Sequence, residues 1–126
     1  MDDWIRSIAA LGIGRIGGPS AVSALTQAPS SPNPLVNGNI IRALGNTHDK
    51  SAVPVLIERA RRHDGYVDND VCNALPMLTH RQWCDGSSDV SAMQRRWRSW
   101  WAANSAMATI YDNEDCPSLN ELPLIR

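Results

Sequence analysis

Phenylalanine is missing from this 126-residue chain and tyrosine occurs only twice, so its aromatic weight rests on five tryptophans. Charge of one sign is lacking too. Twelve basic against 13 acidic side chains leave a formal net charge of −1, a field that gives no reason to expect nucleic acid, an anionic membrane surface or a highly charged substrate. No apolar run approaches the roughly 18 residues needed to cross a bilayer, and the start, with Asp2 and Asp3 ahead of Trp4, lacks the basic segment of a secretory signal. Cysteine is scarce: Cys72, Cys84 and Cys116 form an odd set at wide spacing, which argues against a disulfide framework and for a reducing compartment. The expected location is therefore the cytoplasm. A chain of this length buries roughly two thirds of the surface its unfolded form exposes, without a staple.

Motifs of catalysis are lacking as well. Gly12, Gly14, Gly17 and Gly18 form a glycine-rich stretch, yet they follow a helical pattern and are not joined by the Lys and hydroxyl of a phosphate loop. Ser, His and Asp occur with nothing in the spacing to gather three of them. His80, Cys84 and Cys72 invite a zinc reading, but no Cys-x-x-Cys is present and structural zinc shows tighter pairing. Cys72 reads more simply as a buried apolar position, matching Ala10 and Ile41. No enzyme, metal or cofactor is expected.

What is there is a phrase stated twice. Ile13, Gly14, Pro19, Ala21, Val22 and Leu25 return as Leu44, Gly45, Lys50, Ala52, Val53 and Leu56, each displaced by 31 positions (44−13, 52−21, 56−25). A period in this range marks stacked supersecondary units, none of which buries its apolar face alone. In the first unit Ile5, Ile8, Ala9, Gly12, Ile13 and Ile16 recur at three- and four-residue steps, predicting a helix capped by Asp2 or Asp3. Gly17, Gly18 and Pro19 break it, and Ala21, Val22 and Leu25 continue on a short second helix. Three prolines between Pro29 and Pro34 make the connector. The pattern restarts with Val36, Ile40 and Leu44, and again with Val67, Val71 and Leu75. Between those sets Val53, Leu56, Ile57 and Ala60 form one apolar face of a helix begun by Asp49 or Ser51, and Gly65 is read as ending that stretch.

The third unit departs from the rule. Pro76 stands where Gly14 and Gly45 stood, predicting a kink or an early stop. Trp83 and Cys84 fall where Ala and Val belong, a loop of Asp85, Gly86, Ser87 and Ser88 follows, and the second helix is predicted from about Asp89. From Tyr111 the chain has no period and reads as an irregular tail, either packing its leucines onto an exposed end or remaining mobile.

The sequence from Ala43 through Leu44, Gly45, Asp49, Ala52, Val53 and Pro54 to Leu56, with Gly14, Arg15, Ile16, Gly17, Pro19, Ala21, Val22 and Leu25 before it, resembles the short bacterial HEAT repeat, the variety also named after the phycobilisome lyases. The likeness covers residues 1 to about 78, and Trp97 to Asn104 is similar to the Trp-rich ending that follows such repeats. It implies an all-α, right-handed solenoid of about three helix pairs, with a Trp-rich capping helix and a tail. On that basis residues 1–110 form the repeat domain, in units of about 1–31, 32–64 and 65–104, and residues 111–126 the tail. Second helices would line a concave face. Members are mostly protein-interaction scaffolds, a minority act on bilin chromophores, and no motif of that minority carries over.

Two constellations remain. Trp97, Trp100 and Trp101 either cap the last repeat, with at most one indole accessible, or offer an aromatic platform. Arg59, Arg61, Arg62 and His63 form one basic cluster, and Arg95, Arg96 and Arg98 another. On a shared concave surface they would bind a carboxylate-rich peptide or a phosphate; otherwise they pair with Glu58, Asp64 or Asp89. The expected site is thus Arg59, Arg62, His63, Arg95, Arg96, Trp97 and Trp100, and the expected partner a protein or peptide. The alternatives are a homodimer through an uncovered first repeat and a chromophore-handling enzyme with a pocket near Trp97.

Overall fold

Three of the described helices begin where the sequence supplies a side-chain acceptor for their first free N–H groups. In the computed structural model, Asp2 Oδ1 accepts from Trp4 N at 2.8 Å, Asn33 Oδ1 from Leu35 N at 3.0 Å and Asp89 Oδ1 from Ala92 N at 3.0 Å. Asp49 Oδ1 accepts from Ser51 N, fixing the turn ahead of the fourth helix. The structure describes residues 2–60, 65–86, 89–111 and 118–125, apart from the side chains at positions 65–69 and 119. Arg62, His63 and Cys116 lie outside the described residues, as do positions 87–88 and 112–117. Among the described residues there are six α-helices: α1 (Asp3–Ile16), α2 (Gly18–Gln27), α3 (Pro34–Gly45), α4 (Ala52–Arg59), α5 (Gly65–Thr79) and α6 (Val90–Asn104).

α1 pairs with α2 and α3 with α4. α1, α3 and α5 stack as one layer, α2 lies on α1 and α3, and α4 packs on α3, α5 and α6. The repeat period is visible in the stacking itself. A Cβ added at Gly14 would meet the carbonyl oxygen of Ala43 at 2.6 Å, and one at Gly45 would meet Cβ of Ala74 at 2.9 Å. Both partners, like both glycines, are 31 residues apart, so the same Gly-on-Ala contact sets the approach of α1 to α3 and of α3 to α5. Gly17 combines a φ of +75° with a Cβ direction that points at the Thr47 carbonyl, and Gly18 N donates to that same carbonyl at 3.0 Å. Few residues other than glycine fit there.

Pro76 does not end its helix. α5 runs on to Thr79, because a proline this near the C-terminus removes a single N–H, and the final turn recovers with His80 N donating to Pro76 O at 2.9 Å. No helix stacks beyond α5 among the described residues, so the position needs no glycine. Gly65 opens α5 instead of ending the stretch before it.

The cysteine expectation is corrected. Cys72 on α5 and Cys84 in the following loop form a disulfide, with Cα atoms 5.7 Å apart. Twelve residues separate them, a spacing with no signature in the sequence. Trp83 makes the pair: its side chain is fully buried, and drawing it into the core brings its neighbour Cys84 back beside α5.

The far end of the stack is closed by tryptophans. Trp83 meets Trp97 edge-on, ring centres 6.0 Å apart, and meets Trp100 likewise at 5.3 Å, while Trp100 stacks on Trp101. The buried indole N–H groups are satisfied in sequence: Trp97 Nε1 donates to the Trp83 carbonyl at 2.6 Å, Trp83 Nε1 to Thr79 Oγ1 at 2.7 Å, and Thr79 Oγ1 to the Leu75 carbonyl at 2.9 Å. Gln94 Nε2, also buried, donates to the Ile57 carbonyl and binds α6 to α4. The tail joins this closure. Gln82 N donates to Pro123 O, Ile125 N donates to Gln82 O, and Ile125 is buried.

Candidate functional site

The arginines expected to share a concave surface are brought onto neighbouring helices, but most of their forks are turned to near neighbours. Arg59, half-buried at the end of α4, donates from Nη2 to the Thr26 carbonyl of α2 at 3.1 Å. Arg96 Nη1 lies 3.2 Å from Asp85 Oδ2, while its Nε and Nη2 are enclosed and have no hydrogen-bond partner among the described residues. Arg98 forms a two-pronged pair with Glu58, Nε to Oε1 at 2.7 Å and Nη2 to Oε2 at 3.0 Å. That hydrogen bond, with the carboxylate's charge behind it, holds the Arg98 guanidinium above its ordinary value despite some desolvation. Arg95 is exposed. Trp97, read as a member of the binding patch, is 1 % exposed and not accessible to a ligand. Trp100 and Trp101 are each half-buried. Arg62 and His63 are outside the described residues.

The opposite end is different in kind. Positions 36, 40, 43 and 47 are the residues of the second repeat that face the first, and Val36, Ile40, Ala43 and Thr47 are at most 3 % exposed. Their counterparts 31 residues earlier are Ile5, Ala9, Gly12 and Ile16, and all four are exposed, Ile5 at 56 % and Ile16 at 84 %. Ile8 at 52 % and Trp4 at 72 % extend the strip along α1. Beside it runs an apolar groove of about 460 Å³ between α1 and α2, lined by Ala9, Ile13, Ala24, Leu25, Ala28 and Ile40. Arg6 closes one end of the groove, donating to the Pro29 carbonyl at 2.6 Å. This is an inter-repeat face with no repeat upon it.

A model of the HEAT-repeat family matches residues 1–76. The chain belongs to the HEAT-repeat family. No curated protein and no solved structure matches it. The matched span covers the first two helix pairs and nearly all of α5, and it ends at Pro76, where the repeat rule itself lapses. In this HEAT protein a second depression, of about 260 Å³, lies beside Trp100 and is lined by Thr79, Arg81, Asn104, Met107, Thr109 and Tyr111. Its walls are more polar than those of the α1–α2 groove, and the His80 ring stacks on Tyr111 near its edge with ring centres 3.8 Å apart. None of the described helices is long and apolar enough to cross a membrane. The disulfide takes the Cys72 and Cys84 thiolates out of any metal site.

The apolar stripe of α1 was readable from the sequence, in the three- and four-residue steps of Ile5, Ile8, Ala9, Gly12 and Ile16. The groove beside it was not. Its walls come from α1, α2 and α3, and the small Ala9, Ala24 and Ala28 that open it look like ordinary helix residues.

Proposed function

We propose that this chain is a non-enzymatic protein-interaction module whose docking surface is the uncovered face of α1 and the groove beside it. HEAT repeats commonly serve as interaction scaffolds. One observation carries the choice of surface: register positions buried between the first and second repeats are exposed on the first. A solenoid gains most of its apolar burial from such faces, so a protein that completes the stack gains the same burial. The working unit is an array over residues 1–110 of the short bacterial kind, supported by the Ala43-Leu44-Gly45 and Ala52-Val53-Pro54 phrases. A cytoplasmic location no longer has the support of reduced cysteines, because a Cys72–Cys84 bond persists in oxidising surroundings.

A second reading keeps the concave basic surface. Arg95 favours it: it is exposed on α6, and a peptide carboxylate is the group a guanidinium fork takes best. Photo-crosslinking separates the two surfaces. A benzoylphenylalanine in place of Ile8 is expected to give a discrete protein adduct in cells, and the same group in place of Arg95 to give none. Adducts from position 95 alone would transfer the docking surface to α6.

A further inference from the structure

The uncovered strip on α1 is self-complementary. Trp4, Ile8, Gly12 and Ile16 lie at successive four-residue steps, so they form one row along the helix, with a large side chain at each end, an isoleucine inside, and a gap. The gap is Gly12, where an added Cβ would meet nothing within 4 Å. Inside the array the corresponding small residues, Ala43 and Ala74, are each met by a glycine of the helix below. Gly12 offers the same close approach with no helix yet there.

Resting on the reading of this face as a docking surface, we infer that its occupant is a second copy of this chain, paired about a two-fold axis with the two α1 helices antiparallel. An antiparallel arrangement centred between Ile8 and Gly12 sets Ile8 over Gly12 of the partner subunit and Trp4 beside Ile16 of the partner subunit. The same symmetry repeats both contacts in reverse, as an isologous interface requires. Charge agrees with this direction. α1 carries Asp2 and Asp3 at its start and Arg15 in its last turn, so antiparallel pairing puts each acidic start beside a basic end, whereas parallel pairing sets like against like.

Among the described residues the far end buries Trp83, Trp97 and Ile125, although Met107, Tyr111 and Leu124 are exposed there, so a head-to-tail stack would not find the inter-repeat face that α1 presents. The area suffices for a modest interface. At the exposures of Trp4, Ile5, Ile8 and Ile16, the four side chains present on the order of 500 Å² per copy, and two copies together reach roughly the 1,000 Å² of the smallest specific interfaces. The pair is therefore reversible, held by apolar burial and steered by charge.

Sedimentation equilibrium of the 126-residue chain is expected to show a concentration-dependent shift from 13.8 kDa toward twice that mass. Ile8→Glu, which sets a charge at the centre of the face, is expected to weaken self-association roughly thirtyfold or more while leaving the helical circular dichroism unchanged. Gly12→Leu, which fills the gap, is expected to weaken it as well. A benzoylphenylalanine in place of Ile8 is expected to join two copies, with the bond mapping near Gly12 of the partner subunit. A chain that stays monomeric and crosslinks from position 8 to a different protein overturns self-pairing but leaves the docking face intact. A monomer that gives no adduct overturns both. A dimer indifferent to Ile8→Glu and Gly12→Leu places self-association elsewhere and overturns the pairing proposed here.

Discussion

The two ends of the array treat the same physical problem in opposite ways. At the far end Trp83 and Trp97 are wholly buried, a disulfide anchors the loop that carries Trp83, and the tail lays Ile125 over the junction. At the near end Trp4, Ile5, Ile8 and Ile16 stand in solvent, beside an open groove. Any solenoid has two terminal faces that lack a neighbour, and polar or bulky capping segments are how such faces are made tolerable in water. Only one of this chain's two faces is treated that way. On the proposed reading the closed end supplies stability and the open one recognition, and substitutions of matched chemistry at the two ends test that division.

The largest contrast lies between two tryptophans. Trp97→Ala empties a buried site and leaves the Trp83 carbonyl without its donor, so a loss of about 3–5 kcal/mol is expected in urea unfolding. Trp4→Ala, measured at high dilution, is expected to change stability by no more than about 0.5 kcal/mol, since that indole is mostly in water already. Equal losses would mean that both ends are structural and would remove the ground for a docking face.

Reducing the disulfide comes next. A cross-link spanning 12 residues restricts the unfolded chain enough for about 2–3 kcal/mol, so thermal unfolding with and without a thiol reductant is expected to show a lower midpoint in the reduced protein. A variant with Cys72→Ala and Cys84→Ala is the control that reductant must not affect. If the bond serves the closed end alone, the self-association of the chain is unchanged by reduction.

A third pair compares two glycines on one helix. Gly14→Ala drives a methyl group against the Ala43 backbone, which flexible side-chain motion cannot relieve, and a loss of about 2 kcal/mol is expected after the gain in helix propensity is set against the clash. Gly12→Ala meets nothing, and a gain of up to about 1 kcal/mol in the stability of the monomer is expected from propensity alone. Guanidinium titrations of the two variants at matched dilution read the difference directly. Opposite signs two residues apart would establish which side of α1 carries the stack and which is free.

How far the sequence disclosed this fold depends on how local each signal was. The 31-residue period, the caps at Asp2 and Asp89 and the break at Gly17 and Gly18 each rest on a few adjacent residues, and the helices follow them closely. The departures came from tertiary contacts. Pro76 announced a kink or an early stop, yet α5 runs on to Thr79 because a proline this near the helix end removes a single N–H, and Gly65 resembled a terminator but begins a helix. Cys72 matched Ala10 and Ile41 by register, yet its partner was decided by where Trp83 had to go. For the candidate site the basic residues were visible, but their pairing was not, because Arg98 meets Glu58 across 40 positions and Arg59 meets the Thr26 carbonyl across 33.

That pairing provides the smallest expected effect. Arg98 and Glu58 are close in geometry, but each side chain is 45 % exposed, and water screens most of what the contact would otherwise contribute. Glu58→Gln is therefore expected to leave the unfolding midpoint within the error of a thermal melt, and raising the salt at neutral pH to leave the wild-type midpoint equally unmoved. Arg98 has its folded value raised, so whatever it contributes is complete below its ordinary value and is lost only as pH climbs through the raised one, beyond the range in which guanidinium groups stay charged. From this side the melt is flat across neutral and mildly alkaline pH. A clear fall in midpoint for Glu58→Gln would instead mean that α4 and α6 depend on the ion pair for their packing, and the second-helix face would then belong with the closed end as structure.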